Sequence, residues 1–127
     1  MTHNEISGTI IDVAIDIHRR LGPGLFESVY QVVLAYEMTK HNLRVEREVP
    51  IPVFWDNLRF DVGFRADMIV EGLVIVELKS LEAIIPVHMK QLLTYLRLTD
   101  KRLGLLLNFG DEVLKNGIAR VVNGLQE

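Results

Sequence analysis

Two short segments, Arg65–Val70 and Val74–Lys79, joined only by Glu71, Gly72 and Leu73, constrain this chain more than anything else in it. A connection of three residues between β-prone runs is hairpin length, and it sets Val70 opposite Val74 in an antiparallel pair. Counting outward, Asp67 falls opposite Glu77, and Arg65 opposite Lys79. Directly opposed residues point to one face, and strand side chains alternate with period two, so Glu77 and Lys79 share that face. The run Val74-Ile75-Val76 is of the buried type, which puts the charged residues where a central strand emerges.

The flanking sequence supplies helices. Ile10, Ile11, Val13, Ala14, Ile17 and Leu21 recur at helical spacing within 6–21, with Asp12, Asp16, Arg19 and Arg20 opposite, and Gly22-Pro23-Gly24 stops the helix. A second helix is expected from Leu25 or Phe26 to Lys40, with Asn42 as its exit. Strand-like alternation follows at Leu43, Val45 and Val49 and is expected to end at Pro50 and Pro52, at or near a sheet edge. Asp56 and Asn57 mark a turn. A third helix spans 86–98, with Met89, Leu92, Leu93 and Leu96 on its apolar side and His88, Gln91 and Tyr95 on a neighbouring stripe. The run Leu103–Leu107 reads as a strand buried on both faces, closed by Asn108, Phe109 and Gly110, with a short element at 118–122. The order α-α-β-β-β-α-β plus a small C-terminal element predicts an α/β fold, a mixed central sheet flanked by helices, as one domain over 1–127.

With no cysteine, no disulfide scaffold or cysteine zinc site is available, and His3, His18 and His41 are dispersed; neither zinc nor an organic cofactor is expected. The start of the chain has no basic region and its apolar stretch is broken by Asp12 and Asp16, so neither signal peptide nor membrane span is expected, and the expected location is the cytoplasm. The formal charge of −3 gives no global attraction to a polyanion, so any nucleic acid must be held by a local basic patch or through cations.

Two carboxylates forced together repel and tend to retain a proton, a penalty that Mg2+ or Mn2+ removes. A hard cation also neutralises phosphoryl charge and activates water, and Lys79 beside it can orient that water or stabilise developing charge. The bland alternative is an exposed ion pair between Glu77 and Lys79, worth about 0–1 kcal/mol. Glu27 reads equally as a first-turn acid favouring its helix N-terminus. Tyr30 reads as a supporting hydrogen-bond partner, Gln91 as a helper on the third helix or a solvated residue, and His88 as a cleft-lining or surface residue. Gly22-Pro23-Gly24 lacks the lysine of a phosphate-binding loop. Trp55, near Phe54 and Phe60, fits either local packing or stacking on a base. Arg65, Arg97 and Arg102 are candidates for phosphate contact if they converge at the mouth of the site.

Asp67 followed after nine residues by Glu77-Leu78-Lys79 resembles the signature of the PD-(D/E)xK nuclease superfamily. Gly24-Leu25-Phe26-Glu27-Ser28-Val29-Tyr30 is similar to the motif of the GxxExxY protein family, and Arg65-Ala66-Asp67, Gln91 with Tyr95-Leu96-Arg97, and 104–110 match further. The resemblance implies a Mg2+-dependent nuclease site. In it Asp67 is the central metal ligand, Glu77 the second, and Glu27 an additional carboxylate. The Leu78 carbonyl faces the metal, Lys79 is the catalytic lysine, and Gln91 is a supporting residue with Tyr95 one turn later. Ala66 replaces the proline of the signature, a change in stiffness rather than in ligands. The function so implied is phosphodiester hydrolysis, of DNA more than RNA. The alternative is a non-catalytic binding or assembly protein on the same fold, while sugar hydrolysis by the acid pair is remote. DNA and a second copy of the chain are the expected partners.

Overall fold

The first helix, α1 (His3–Leu21), begins three residues before the apolar periodicity does, because Thr2 and Glu5 close a reciprocal capping box. Its buried stripe of Ile6, Ile10, Val13, Ala14 and Ile17 packs with Tyr30, Leu34 and Met38 of α2 (Glu27–Lys40). Gly22, at φ 75°, ends α1 with its N–H on the His18 carbonyl. These elements belong to a computed structural model that describes residues 1–126.

The strands are β1 (Val45–Trp55), β2 (Leu58–Val70), β3 (Val74–Lys79), β4 (Leu103–Asn108) and β5 (Ile118–Val122), with α3 (Pro86–Thr99) between β3 and β4 and a short 3-10 turn (Leu114–Gly117) before β5. They form one mixed sheet in chain order, antiparallel except for the parallel pair β3–β4 that α3 connects. Helices α1 and α2 cover one face, and α3 covers the other. The apolar run of β3 is divided accordingly: Val74, Val76 and Leu78 enter the core under α1 and α2, while Ile75 packs with Leu92 and Leu96 of α3. A central strand buried on both faces cannot show polar alternation.

The β1–β2 hairpin is much longer than the sequence suggested. Pro50 and Pro52 lie within β1 instead of ending it, which an edge strand permits because one side of its ladder needs no donors. The turn is the two residues Asp56 and Asn57, with Asp56 at φ 51°. Between the pairs Arg47/Met68 and Val49/Ala66 the hairpin also exchanges faces. Val45 and Met68 serve the α1–α2 core, whereas Val49, Ile51, Phe64 and Ala66 serve the α3 core. The switch falls at Glu48, at φ 51°, and at Asp67. Asp67 therefore occupies the point where the hairpin changes faces.

Candidate active site

From Val70/Val74 the β2–β3 ladder runs through Ile69/Ile75 to Met68/Val76 and stops. Beyond it β2 stays with β1, so Arg65 faces Pro50 and not Lys79, while β3 continues alongside β4 as far as Lys79/Asn108. Side chains bridge the gap that opens. The Leu78 N–H donates to Asp67 Oδ2 at 2.9 Å, and the Asp67 N–H approaches Glu77 Oε2 at 3.4 Å. The expected meeting of Asp67 and Glu77 thus occurs, through these bonds rather than through a continued ladder. In an extended strand the N–H and C=O of one residue point to the same side. The Leu78 carbonyl accordingly faces the same gap as its N–H.

Glu77 is 7% exposed, and its Oε1 is buried without a hydrogen-bond partner. Burial foremost, then hydrogen bonding to Asp67 and the charge of Asp67, push its carboxyl up to about 9; the Asp67 N–H and the Lys79 ammonium oppose this only in part. At neutral pH and without a cation Glu77 holds a proton. Tyr95 stands against both acids from α3: burial and the charges of Glu77 and Asp67 raise its phenol, while a bond with Gln91 counteracts them. Its ring is stacked on Phe64 at 3.9 Å, and the exposed Gln91 reaches the site through it. The oxygens of Asp67 and Glu77, with the Leu78 carbonyl, are the hard donors that Mg2+ or Mn2+ prefers. The unpartnered Oε1 is a lone pair such an ion would satisfy, so the residues fit a divalent cation.

A sequence model of the PD-(D/E)XK nuclease superfamily matches residues 4–121. The chain belongs to this superfamily. No curated protein and no solved structure matches it.

Within this PD-(D/E)XK chain the third acid stands at the rim of the site, held one residue beyond Lys79. Glu27, exposed at the first position of α2, accepts the Ser80 N–H through Oε1 at 3.3 Å, and Ser80 Oγ donates to the Leu25 carbonyl at 2.8 Å. No group of three His, Cys, Asp or Glu among the described residues is close enough to hold one ion. The free amide just past β3 captures Glu27 at the rim, where it straps α2 to the end of that strand.

Other expected helpers have structural work. Tyr30 is fully buried, stacked on Phe109 at 4.4 Å, and its hydroxyl donates to the Gly22 carbonyl while accepting the Leu25 N–H. It fixes the turn before α2. His88 Nδ1 accepts the Ile85 N–H at 3.1 Å and caps the start of α3. The three arginines do not converge. Arg65 is exposed on β2, Arg97 lies in the last turn of α3, and Arg102 precedes β4, pairs with Asp100 at 3.2 Å and bonds the Asn123 carbonyl. Because β3 and β4 are parallel, Arg102 is a strand length, about 20 Å, from the end that carries Lys79.

Asn108, given no role by the sequence reading, organises the C-terminal edge of this PD-(D/E)XK sheet. It is fully buried; Oδ1 accepts the Leu81 and Gly110 N–H groups, and Nδ2 donates to the Leu81 carbonyl and Asp111 Oδ2. Its amide copies a peptide unit and prolongs the β3–β4 pairing beyond Lys79, whose carbonyl accepts the Phe109 N–H at 2.8 Å. Gly110 is required at the same place, since a Cβ there would fall 2.1 Å from the Leu81 carbonyl oxygen. The available signal was a lone amide closing an all-apolar strand: a buried polar group must be satisfied, and Asn has four bonds to give.

Proposed function

We propose that this chain is a divalent-metal-dependent nuclease of the GxxExxY group that hydrolyses phosphodiester bonds, in DNA more than in RNA. The observation that carries the reading is the buried, unpartnered Glu77 Oε1 beside Asp67 at the end of the strand that bears Lys79. Membership of the superfamily supports nuclease chemistry in general, and the 24–30 motif supports the narrower group. Asp67, Glu77 and the Leu78 carbonyl would hold Mg2+ or Mn2+, and bound there the ion supplies Lewis-acid polarisation of the phosphate and a more acidic water. Lys79, two residues from Glu77 on the same face, orients that water or neutralises a non-bridging oxygen. Tyr95, held by Phe64 and Gln91, fixes the α3 wall of the site. Glu27, holding the Ser80 N–H through Oε1, would contribute through its other oxygen, to the ion's water rather than to the ion.

The test is cleavage of plasmid, linear duplex and single-stranded DNA during titration with Mg2+ and with Mn2+. Activity is expected to vanish in Asp67→Ala and Lys79→Ala with folding preserved, and undiminished activity in both rejects the assignment. A second reading, a non-catalytic nucleic-acid-binding or assembly protein, draws on the engagement of Glu27 away from the acid pair. Metal binding without cleavage of any substrate selects it.

A further inference from the structure

The far end of the β1–β2 hairpin is an apolar feature that the core does not absorb. The pairs Val53/Phe60 and Trp55/Leu58 place Trp55, Leu58 and Phe60 on one face of the tip, and all three are more than half exposed, Trp55 to 70%. Phe54, on the other face opposite Arg59, is 59% exposed. Aromatic side chains bury 150–250 Å² each when covered, so the tip offers on the order of 500 Å² of apolar surface. That is near the upper end for a monomer's largest patch, which is often functional.

The tip has no cation to spare for a phosphate. Its one basic residue, Arg59, lies over the Phe54 ring at 5.0 Å and bonds Asp61 at 2.7 Å, leaving Asp56 as the unpaired charge of the turn. Between the same hairpin and the C-terminal end of α3 lies an open groove of about 560 Å³ with Ile51, Val53, Ile69 and Leu98 in its lining. Arg97 and Lys101 also line it; neither forms an ion pair among the described residues, and the Lys101 ammonium donates to the Gly72 carbonyl at 2.7 Å, which keeps two of its protons for a partner. One chain thus carries an apolar knob bearing an acid and, beside it, an apolar groove bearing two cations. A two-fold pairing requires a surface of this kind, in which the knob of each copy meets the groove of the other.

We propose that the β1–β2 tip is the contact through which two copies of this chain pair, each Trp55 tip seated in the other's groove with Asp56 against Arg97 and Lys101. Two such tips and the grooves that receive them would bury on the order of 2,000 Å² in total, the size of a specific interface. Prolines 50 and 52 on the edge strand oppose simple strand-to-strand extension, which leaves the tip as the part of the hairpin free to dock.

Trp55 is the only tryptophan, so its emission reports on the tip alone. Sedimentation of the full chain across the micromolar range is expected to show a monomer–dimer equilibrium, with Trp55 emission moving to the blue along the same concentration curve. Trp55→Glu and Leu98→Glu, both at exposed positions, are each expected to weaken pairing by about tenfold or more while leaving circular dichroism unchanged. Asp56→Asn, which retains a residue tolerant of positive φ, is expected to weaken it several-fold in low salt. A chain that stays monomeric throughout the range overturns the proposal, as does a dimer indifferent to both glutamate substitutions. Quenching of Trp55 by an oligonucleotide on a protein that sediments as a monomer also overturns it, and assigns the tip to nucleic acid.

Discussion

Glu77 is a carboxyl that burial and a neighbouring acid hold back from ionising. With its folded pKa near 9 and an ordinary value of 4.5, the native state binds the extra proton between those limits and the unfolded chain does not. Stability therefore falls as pH rises: the contribution of Glu77 is fully present below about pH 4.5 and is lost on passing through about 9. Denaturant midpoints of metal-free protein are expected to decline across this window, and Glu77→Gln, which keeps the neutral form at every pH, should flatten the decline. A slope unchanged in that variant shows that Glu77 is not the group responsible. The same proton must leave when a cation enters, so calorimetry of Mg2+ binding at neutral pH in buffers of differing ionisation enthalpy should report release of about one proton. That Asp67 and Glu77 would meet was legible because a three-residue connection fixes register near the turn, which is local information. The protonation of Glu77 was legible only as a tendency of paired acids, because the depth of burial depends on α3, far along the chain.

At the scale of elements, helices and the buried strands followed from periodicity, and the errors cluster where partners decide. The prolines of β1 looked like stops; they are tolerated because the strand lies at the edge, a fact that sequence suggested without giving the strand's length. The Arg65/Lys79 pairing failed because β3 parts from β2 after Val76 while keeping β4 beside it along its whole length, and a hairpin count cannot see where the ladder opens. The Asn108 clamp arises at the β3–β4 junction. Asn108→Ala removes four hydrogen bonds and leaves the Leu81 amide and carbonyl short of partners, for a loss of roughly 2–5 kcal/mol on the usual scale for buried, unsatisfied groups. Urea denaturation measures it, and a change below about 1 kcal/mol would show that water replaces the amide without penalty. Since Lys79 and Ser80 are tied to the same junction, the variant should also lower cleavage more than it weakens metal binding.

Taken whole, the molecule has two cores on opposite faces of one sheet, and an acid site at the point where that sheet opens. Its cations are spread over separate elements: Arg65 on β2, Arg97 at the end of α3, Arg102 a strand length from Lys79 and already paired with Asp100. A net charge of −3 adds no general attraction. Affinity for nucleic acid must then come largely through the metal and a small number of phosphate contacts, and counterion release scales with that number. For a duplex oligonucleotide in Mg2+, log K against log salt is expected to have a shallow slope, on the order of −1 to −3, corresponding to one to three phosphates neutralised. Fluorescence anisotropy over a salt series gives the slope directly. A value several-fold steeper would mean that a continuous basic surface forms when copies assemble, one that the arginines of a single chain do not provide.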